Sequence, residues 1–359
     1  MTNKKKEILF IAQYPNNVSP GQRFRFELYT QLLEENGFKV TSQPFLNMNG
    51  YLVIHKKGRF LLKAIAIIKG YLKRFIMLFN IKKYSYIFLQ RESTPLGPPF
   101  FEWIYARVFK VKIIYDFDDA IWLPHISDNN NSFVFLKDAG KVEKICRWAN
   151  KVSVGNNYLS EFAKHFNNRV IYNPTCVDTE NKHNILSNHN VDKITIGWTG
   201  SFSTLKYLDM LQPVLSRLQQ KYDFNIKVIC NQPPLLNIKN VIYVQWTEQN
   251  EVTELAGCQI GLMPLTDDEW SKGKCGFKLI QYLSLEIPAV SSAVGVNKEI
   301  IEDGINGFLC TSDAEWFDAI EKLICDAELR KVMGIRGRKK IIEQYSLQSN
   351  RENFLQLFN

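Results

Sequence analysis

The sequence predicts an α/β protein in which two doubly wound parallel-sheet domains follow one another. Short apolar runs alternate with helical patterns along the chain, and this alternation is typical of parallel sheets that helices cover on both faces. A polar stretch without periodicity, residues 178–190, interrupts the alternation before it starts again. The chain has 359 residues, of which 45% are hydrophobic, so it can bury the cores of two ordinary domains.

Six apolar runs in the first half are predicted strands with helices between them: Glu7–Ala12, Phe38–Gln43, Tyr86–Gln90, Val111–Tyr115, Lys151–Gly155 and Val170–Asn173. The second half repeats the pattern with a helix over about 205–222 and strands at Ile194–Trp198, Ile226–Cys230, Val241–Val244, Ile260–Leu265 and Pro288–Ser292.

These elements place a first domain at 1–180, a linker at 181–192 and a second domain at 193–340. The remainder, 341–359, is predicted to be a C-terminal helix that packs back on the first domain. In such folds ligands bind at the carboxyl ends of the strands. We therefore expect the ligand site in a cleft between two domains that face each other.

Cysteine and hydropathy patterns exclude several classes of protein. The seven cysteines are spread singly, without a C-x-x-C pair or clustered histidines, so neither a zinc site nor a disulfide framework is indicated. A reducing cytosol is the expected setting. Nowhere do 18 uncharged apolar residues run together, so no membrane-spanning helix is predicted. The early apolar run Ile8–Ala12 is too short for a signal peptide.

The net charge of +9 is concentrated in one segment. Between Asn36 and Arg91 there are eleven basic residues and no Asp or Glu, so the rest of the chain is close to neutral. Within this segment, residues 59–79 are predicted to form a basic amphipathic helix. Its apolar stripe consists of Leu61, Ile65, Ile68, Leu72, Phe75 and Phe79, and its basic residues, roughly opposite, are Arg59, Lys63, Lys69, Lys73 and Arg74.

Two interpretations of this helix stay open. It can pack its apolar stripe on its own sheet and leave a solvated basic back. Alternatively, its basic face and exposed aromatic side chains can meet anionic lipid headgroups, each basic residue adding about 1 kcal/mol. Nucleic acid is not expected as a partner, because no recognisable nucleic-acid-binding module accompanies the charge.

Two loops in the second domain have features of anion sites. Gly200 and Ser201 end a predicted strand, and Lys206 lies in the first turn of the helix that follows. Glycine permits close backbone approach and a nearby lysine suits a phosphate, although a plain strand-to-helix turn has the same pattern. The second loop carries Lys274 and enters a helix that carries Lys278. Two such signals in one domain suggest a diphosphate ligand.

The first domain has one basic candidate group. Arg23 and Arg25 are predicted to lie where a helix begins, a position that disfavours cations. This conflict suggests an anionic ligand, and a salt bridge to Glu27 or elsewhere is the plain alternative.

Three carboxylates follow a predicted strand in the same domain: Asp116, Asp118 and Asp119. Taken alone, a D-x-D pattern at a strand end suits a divalent cation. Asp118 or Asp119 can also simply begin a helical turn over Ala120–Trp122.

Five motifs occur together in the second half of the chain: Gly197–Ser201, Gly261–Leu265, Lys274–Tyr282, Ala293–Glu299 and Asp303–Leu309. In this order they resemble the family-four (group 1) retaining glycosyltransferases of the GT-B fold. The resemblance is strong over 194–346 and looser before it. The combination is far more specific than any single motif.

The resemblance implies two Rossmann-like domains facing each other across a cleft. It also implies retaining transfer of a sugar from a nucleotide diphosphate sugar, bound mainly by the second domain, to an acceptor bound by the first. No metal or other cofactor is expected, because positive side chains and backbone N–H groups stabilise the departing diphosphate. The residues expected to bind the donor nucleotide diphosphate are Gly200, Ser201, Lys206, Lys274, Lys278 and Gln281, with Lys206 and Lys274 also acting in catalysis.

The chain departs from the family pattern at two spaced glutamates, one on the donor sugar and one on the ribose. Counted along the helix, the ribose position falls on Gln281, which can still hydrogen-bond a hydroxyl, and the sugar position falls on Gly273, which cannot. Counted from Pro264, the sugar position falls near Asp268. Among the acidic residues 267–269, we therefore expect Asp268 and Glu269 to bind the donor sugar. The alternative is that these residues only form an acidic loop tip without a ligand.

The family typically has an arginine directly after the glycine that matches Gly200, and here that residue is Ser201. Lys274 or Lys278 can supply the missing charge. Because all donor motifs lie in the second domain, Asp118 and Asp119 are expected to hydrogen-bond the acceptor and act in catalysis rather than bind a metal. Arg23 and Arg25 are expected at the acceptor or at a phosphate.

The leading hypothesis is a glycosyltransferase of bacterial surface polysaccharide, lipopolysaccharide or glycolipid synthesis with a lipid-linked glycan acceptor. It would act in the cytoplasm at the inner face of the cytoplasmic membrane, contacting anionic lipid through Arg59, Lys63, Lys69 and Lys73. A catalytically silent sugar-nucleotide-binding or scaffold protein is the alternative. A Rossmann oxidoreductase ranks last, because no G-x-G-x-x-G follows the first predicted strand. The sequence leaves the oligomeric state open.

Overall fold

The computed structural model describes residues 6–54, 56, 58–123, 138 and 140–359. It divides the chain into two compact units. The first unit is Met1–Pro174 together with Arg351–Asn359, and the second is Thr175–Asn350. Each unit is a parallel sheet with helices, as the alternation of apolar runs predicts.

The sheet of the first unit has six parallel strands in the order β2-β1-β3-β4-β5-β6. Its strands are β1 Lys6–Ala12, β2 Phe38–Pro44, β3 Tyr86–Gln90, β4 Lys112–Phe117, β5 Lys151–Val154 and β6 Val170–Tyr172. The strand order reverses between β1 and β3, which pair from Ile8 opposite Tyr86 to Ile11 opposite Leu89. At such a switch point the connections leave a crevice at the carboxyl ends of the strands.

The sheet of the second unit also has six parallel strands, in the order β12-β11-β10-β7-β8-β9. Its strands are β7 Thr195–Gly200, β8 Asn225–Cys230, β9 Val241–Gln245, β10 Ile260–Met263, β11 Ala289–Ser292 and β12 Gly307–Cys310. The order reverses between β7 and β10, where Gly261 pairs with Gly197. The last strand, β12, was not among the predicted strands.

The helices of the first unit are α1 Pro20–Arg23, α2 Thr30–Glu35, α3 Met48–Ile54, α4 Phe60–Leu78, α5 Phe100–Trp103, α6 Lys141–Trp148, α7 Asn157–Lys164 and α16 Arg351–Leu355. A π-helical turn, Ile104–Val108, continues α5. The helices of the second unit are α8 Leu205–Asp209, α9 Gln212–Leu218, α10 Glu251–Ala256, α11 Glu269–Lys272, α12 Phe277–Ser284, α13 Asn297–Ile300, α14 Asp313–Cys325 and α15 Ala327–Gln344.

The helix expected over about 205–222 is two helices, α8 and α9. Pro213 lies in the first turn of α9. Proline has no N–H to donate and its ring clashes with a preceding helical turn, so the helix ends and starts again.

The segment 181–192, expected as a linker, lies within the second unit. Ser187 donates its backbone N–H to the carbonyl of Leu285 at 2.9 Å and its hydroxyl to the carbonyl of Cys258 at 2.6 Å. At the other end of the chain, α15 belongs to the second unit and only Arg351–Asn359 joins the first. There the ring of Phe354 stacks on that of Tyr29, with centroids 4.0 Å apart.

Candidate active site

The switch point of the second unit brings together the donor motifs predicted from the sequence. β7 and β10 are neighbours, so the residues after Gly200 and after Met263 lie at the same edge of the sheet. Ligands of doubly wound sheets bind in the crevice at this edge.

The loop after β7 requires glycine at position 200. A Cβ atom there would lie 2.6 Å from the ring of Trp198 and 2.7 Å from the hydroxyl of Thr204. The next residue, Ser201, is exposed, and its hydroxyl is 2.9 Å from that of Ser203. Because no side chain stands at position 200, the backbone after β7 stays accessible.

Trp198 connects this loop to helix α12. The Nζ atom of Lys278 lies 5.4 Å from the centroid of the Trp198 ring, within the range of a cation–π contact. Gln281 follows Lys278 by three residues and so shares its face of α12. Gln281 is buried, and in the described structure its Nε2 has no hydrogen-bond partner. A buried donor of this kind can serve a ligand.

Tyr282 fixes the spacing of β7 and β10 below this site. Its hydroxyl accepts a hydrogen bond from the backbone N–H of Thr199 at 3.1 Å and donates to the carbonyl of Leu262 at 3.2 Å. The ring fits only because residue 261 is glycine, where a Cβ atom would lie 2.4 Å from it.

The two remaining lysines, Lys206 and Lys274, each lie near an aromatic ring of their own segment. Lys206 is exposed, with its Nζ 5.3 Å from the centroid of the Tyr207 ring. The Nζ of Lys274 lies 5.6 Å from the centroid of the Trp270 ring. Burial opposes ionisation of Asp268, but hydrogen bonds from Thr266 and Ser271, and then the charge of Lys206, outweigh it and lower the pKa of Asp268. Lys206 therefore lies within electrostatic range of the loop after β10.

Asp268 and Glu269, expected at the donor sugar, have structural partners. Asp268 is the N-cap of α11: one carboxylate oxygen accepts from the N–H of Ser271 at 2.7 Å and the other from the hydroxyl of Thr266. Glu269 pairs with Lys272 at 2.8 Å. A carboxylate that caps a helix is held by the local turn, so Asp268 fits the acidic-loop-tip alternative, while the donor-sugar role of Glu269 stays a prediction.

The carboxyl edge of the first unit holds a charged cluster around Arg91. Its Nε donates to Asp118 Oδ1 at 2.9 Å, and its Nη2 lies 2.8 Å from that oxygen and 2.5 Å from Asp119 Oδ2. Burial lowers the pKa of Arg91, but the charges of Asp118 and Asp119 outweigh it and raise that pKa. A Cβ atom at Gly21 would lie 2.6 Å from Asp118 Oδ2, so the loop after β1 approaches this carboxylate.

Sequence reasoning missed Arg91, although it follows β3 directly at the switch point. Its backbone is left-handed, with φ of 61°, a conformation that costs a non-glycine residue free energy and is often found at functional sites. Glu92 is the second missed residue. Its carboxylate accepts from Gln13 Nε2 at 2.5 Å and pairs with Lys141 at 3.0 Å.

The turn expected over Ala120–Trp122 is a single turn in the described residues. The N–H of Leu123 donates to the carbonyl of Ala120 at 2.9 Å, and that of Ile121 to the carbonyl of Asp119 at 2.8 Å. The carboxylates of Asp118 and Asp119 both bind Arg91.

Arg25 is buried with Asp116 and does not reach a ligand surface. Its Nε donates to Asp116 Oδ2 at 3.2 Å, its Nη2 bonds Oδ1 of the same carboxylate, and its Nη1 bonds the carbonyl of Asn173. Both side chains have no exposed area. The expectation of a ligand contact at Arg25 is corrected: the residue cross-links the loop after β1 to β4, and its charge neutralises a buried carboxylate.

Arg23 is the last residue of α1, a helix of only four residues. A single turn has little dipole, so the electrostatic conflict that suggested an anionic ligand has no basis here. Its guanidinium stacks on the ring of Phe24, 4.7 Å from the centroid, and the residue is buried.

The amphipathic helix, α4, exposes its apolar stripe. Leu61, Ile68, Leu72 and Phe79 are all exposed, Phe79 to 89%. Opposite them, the buried face consists of Gly70, Arg74 and Met77.

Arg74 explains how the inner face of α4 is held. It donates to the carbonyls of Ser93 and Gln43 at 2.9 Å and of Ala12 at 3.1 Å. The interpretation in which the apolar stripe packs on the sheet is therefore wrong, and Arg74 is a structural residue rather than part of an exposed basic face. Lys69 is exposed and Lys73 half-buried beside the stripe, whereas Lys63 is half-buried on the inner side.

Two features are absent from the described residues. No cluster of three or more His, Cys, Asp or Glu side chains suited to a metal ion occurs among them. In the same part of the chain, no helix is both long and apolar enough to cross a bilayer.

Part of the second unit matches a known family model. The model described as "Glycosyl transferases group 1" matches residues 193–326. A human protein, alpha-1,3/1,6-mannosyltransferase ALG2, is 26% identical over 102 residues, which is 28% of this chain and 23% of the human protein. The matched part thus spans about a quarter of that relative.

Solved structures share the whole fold. A sucrose-phosphate synthase from Thermosynechococcus elongatus superposes with a TM-score of 0.71 at 12% identity, covering 98% of both chains. HepE of Anabaena, solved with UDP and glucose, gives a TM-score of 0.64 at 15% identity, again covering 98% of both chains.

Proposed function

We propose that this chain, in which residues 193–326 match the group 1 glycosyltransferase model and which has a GT-B fold, transfers a sugar from a nucleotide diphosphate sugar. The proposed acceptor is a lipid-linked glycan, and the proposed transfer retains the configuration. The observation that carries the proposal is the convergence of the loop after β7 and the cationic face of α12 on Trp198, at the switch point of the second unit.

The donor diphosphate is proposed to bind over this convergence. Lys278 and Lys206 provide positive charge, and the backbone after Gly200 is open to close approach. Preorganised cations and N–H groups stabilise the negative charge that develops on a departing diphosphate. HepE, which shares the fold, was solved with UDP and glucose, and this supports a nucleotide-sugar donor here.

Gln281 is proposed to bind the donor ribose. Its Nε2 is a buried donor without a partner in the described structure, and a ribose hydroxyl would supply the missing acceptor. The neutral amide can also accept a hydrogen bond through its oxygen. Lys274 is proposed to assist at the diphosphate from the neighbouring loop.

The acceptor hydroxyl is proposed to bind at Asp118 and Asp119. Arg91 holds both carboxylates in place through charge-assisted hydrogen bonds. An ionised carboxylate accepts several hydrogen bonds at once, so each can take one from a sugar hydroxyl in addition to those it already makes, and orient that hydroxyl.

The acceptor is proposed to be lipid-linked because α4 presents its apolar stripe outward. A contiguous exposed apolar helix face flanked by lysines is favoured at a bilayer surface with anionic lipids. We propose that the protein works there, at the inner face of the cytoplasmic membrane, in the synthesis of a surface polysaccharide, lipopolysaccharide or glycolipid.

A catalytically silent sugar-nucleotide-binding protein is the second candidate. It is favoured by one observation: Asp268 and Glu269 are engaged in capping and pairing, and Gly273 stands where the family has a glutamate. The donor sugar therefore has no assigned acidic contact among these residues.

A donor screen followed by a turnover assay tests the proposal. A nucleotide diphosphate sugar should raise the thermal midpoint by mass action, and the enzyme should hydrolyse it slowly without acceptor. Lys206→Ala and Lys274→Ala should each cost about 2 to 4 kcal/mol of transition-state stabilisation. Lys331→Ala, an exposed lysine on α15, is the control. Donor binding without any turnover favours the silent protein, and unchanged turnover in both variants removes the two lysines from the mechanism.

A further inference from the structure

The exposed apolar surface of the first unit is wider than α4. Phe75 of α4 contacts α5, with its ring centroid 4.9 Å from that of Phe101 and 6.4 Å from that of Phe100. Trp103 at the end of α5 and Val108 in the π-helical turn are also exposed. We call this surface the apolar platform: the exposed apolar side chains of α4 together with Phe100, Trp103 and Val108.

A groove of about 500 Å³ lies at one end of the platform. It is lined by Phe75, Leu78, Phe79, Lys82 and Phe109. The lining is apolar except for Lys82, whose Nζ lies 5.8 Å from the centroid of the Phe109 ring. Hydrocarbon with a negative charge at its margin fits this lining.

A basic pocket, also of about 500 Å³, is linked to the groove through two consecutive residues. Phe109 lines the groove, whereas its neighbour Lys110 lines the pocket. The pocket also contains Lys112, Arg147 and Arg169, and no Asp or Glu is among the described residues of its lining. Each of the four cationic side chains is exposed. The nearest ion pair joins Arg147 to Glu143 at 3.6 Å on the surface.

The positive charges of this pocket repel one another. The pKa of the neighbouring Lys151 is lowered, first by burial and then by the charges of Lys112 and Arg169. A bound anion would relieve that repulsion. Lys112 and Lys151 begin β4 and β5, so the pocket lies at the amino edge of the sheet, at the opposite end from Arg91 and Asp118.

We propose that the basic pocket binds the phosphate headgroup of an anionic phospholipid whose acyl chains lie along the apolar platform. The adjacency of a cationic pocket and an apolar groove matches an amphiphile, and favours it over a free phosphate, which would use the pocket alone. The proposal rests on the membrane contact proposed above. Because the pocket is at the amino edge, it anchors the protein and does not take part in sugar transfer.

Vesicle binding tests this assignment. The full chain is mixed with vesicles of phosphatidylcholine alone and with vesicles that also contain phosphatidylglycerol, and the bound fraction is measured by flotation. The variant Lys110→Gln, Arg147→Gln, Arg169→Gln should lose roughly a hundredfold in binding to the anionic vesicles, from about fivefold for each charge. Its binding to phosphatidylcholine and its donor hydrolysis should not change.

The matched control is Lys331→Gln, Arg336→Gln, Lys339→Gln on α15. These three residues are exposed, and their substitution removes the same charge as the pocket variant. They also include a helical ion pair comparable to that of Arg147, Lys339 with Glu343 at 3.9 Å. An equal loss in both variants, or no loss in the pocket variant, overturns the proposal. Failure of the unaltered chain to bind any vesicle removes the membrane contact as well, while donor hydrolysis still reports separately on the transferase.

Discussion

Single residues of the first unit show how three aspartates on one strand end have different roles. Asp116 points into the core and is neutralised by Arg25, whereas Asp118 and Asp119 are partly exposed and share Arg91. Side chains alternate between the two faces of a strand, and the chain leaves the sheet after Phe117. The buried pair is structural, and the two later carboxylates are available to an acceptor.

The acceptor role of these carboxylates gives a residue-level prediction. The double variant Asp118→Asn, Asp119→Asn should lower transfer to the acceptor by about a hundredfold, because an acceptor hydroxyl loses its orientation. Donor hydrolysis should stay near its original rate, since the proposed donor site lies in the second unit. Rates of both reactions are measured with Asp192→Asn, an exposed aspartate, as the control. Equal loss of transfer and hydrolysis would contradict the assignment.

Tyr282 allows a prediction about stability. Tyr282→Phe removes the acceptor of the buried Thr199 N–H and should lower the free energy of unfolding by about 1 to 3 kcal/mol. Tyr243→Phe is the control, because the hydroxyl of Tyr243 bonds the exposed Gln245 and water can replace it. Urea denaturation followed by circular dichroism measures both. A loss no larger than that of the control would show that the hydroxyl is dispensable.

Among the elements, α4 differs most from an ordinary surface helix. Its inner face has little apolar area and is held by hydrogen bonds from Arg74 to three carbonyls. Gly70 allows the helix to approach Phe45, whose ring atoms would lie 2.4 Å from a Cβ atom at that position. The apolar stripe is consequently left for another partner, which we propose is lipid.

Helix α15 makes an equally close contact in the second unit. A Cβ atom at Gly334 would lie 2.0 Å from the backbone oxygen of Glu286. Gly334→Ala should therefore destabilise the protein by about 1 to 3 kcal/mol, although alanine normally stabilises a helix by about 1 kcal/mol relative to glycine. Thermal unfolding measures the change, with Arg336→Ala on the exposed face as the control. A rise in the midpoint for Gly334→Ala would disprove the close contact.

At the scale of the whole chain, each compact unit includes a segment that lies outside its main run of predicted strands. Arg351–Asn359 completes the core of the first unit, and the stretch from Thr175 onward belongs to the second. His189 lies in the second of these segments. Its Nε2 bonds the carbonyl of Glu286 at 2.9 Å, while its Nδ1 is buried and has no partner in the described structure.

This histidine makes the second unit sensitive to acid. Burial, and then the nearby Arg330 and Lys331, lower the pKa of His189 although the bond to Glu286 opposes them. Above the ordinary histidine pKa of about 6.5, neither the folded nor the unfolded chain binds a proton at this residue. The contribution of neutral His189 to the free energy of unfolding is then fully present. As the pH falls below that value, the unfolded chain binds a proton that the folded chain resists, so stability decreases.

Urea midpoints test this dependence. They are measured at about pH 7.5 and about pH 5.5, roughly one unit on either side of the ordinary histidine pKa. His189→Gln should reduce the fall in midpoint between the two values, and exposed His165→Gln should leave it unchanged. The prediction is wrong if the His189 variant shows the full fall.

The sequence by itself determined the two doubly wound sheets, the positions of eleven of the twelve described strands within a few residues, and the motifs predicted to bind a donor. It could do so because apolar periodicity and glycine-containing loops are local properties of the chain. The pairing of β7 with β10 is a matter of sheet order, which only the tertiary structure provides. The approach of both Gly200 and Lys278 to the Trp198 ring is likewise seen only there.

Only the tertiary structure also decided which charges are available to a ligand. Arg25, Arg74 and Asp268 have the character of site residues in the sequence. The partners of Arg25 and Arg74 lie in distant segments, and Asp268 caps a turn whose geometry the sequence does not specify. Arg91 was overlooked for the same reason. The direction in which α4 presents its apolar stripe is likewise a tertiary property: periodicity defines a face, but what covers that face depends on which neighbours pack against the other side.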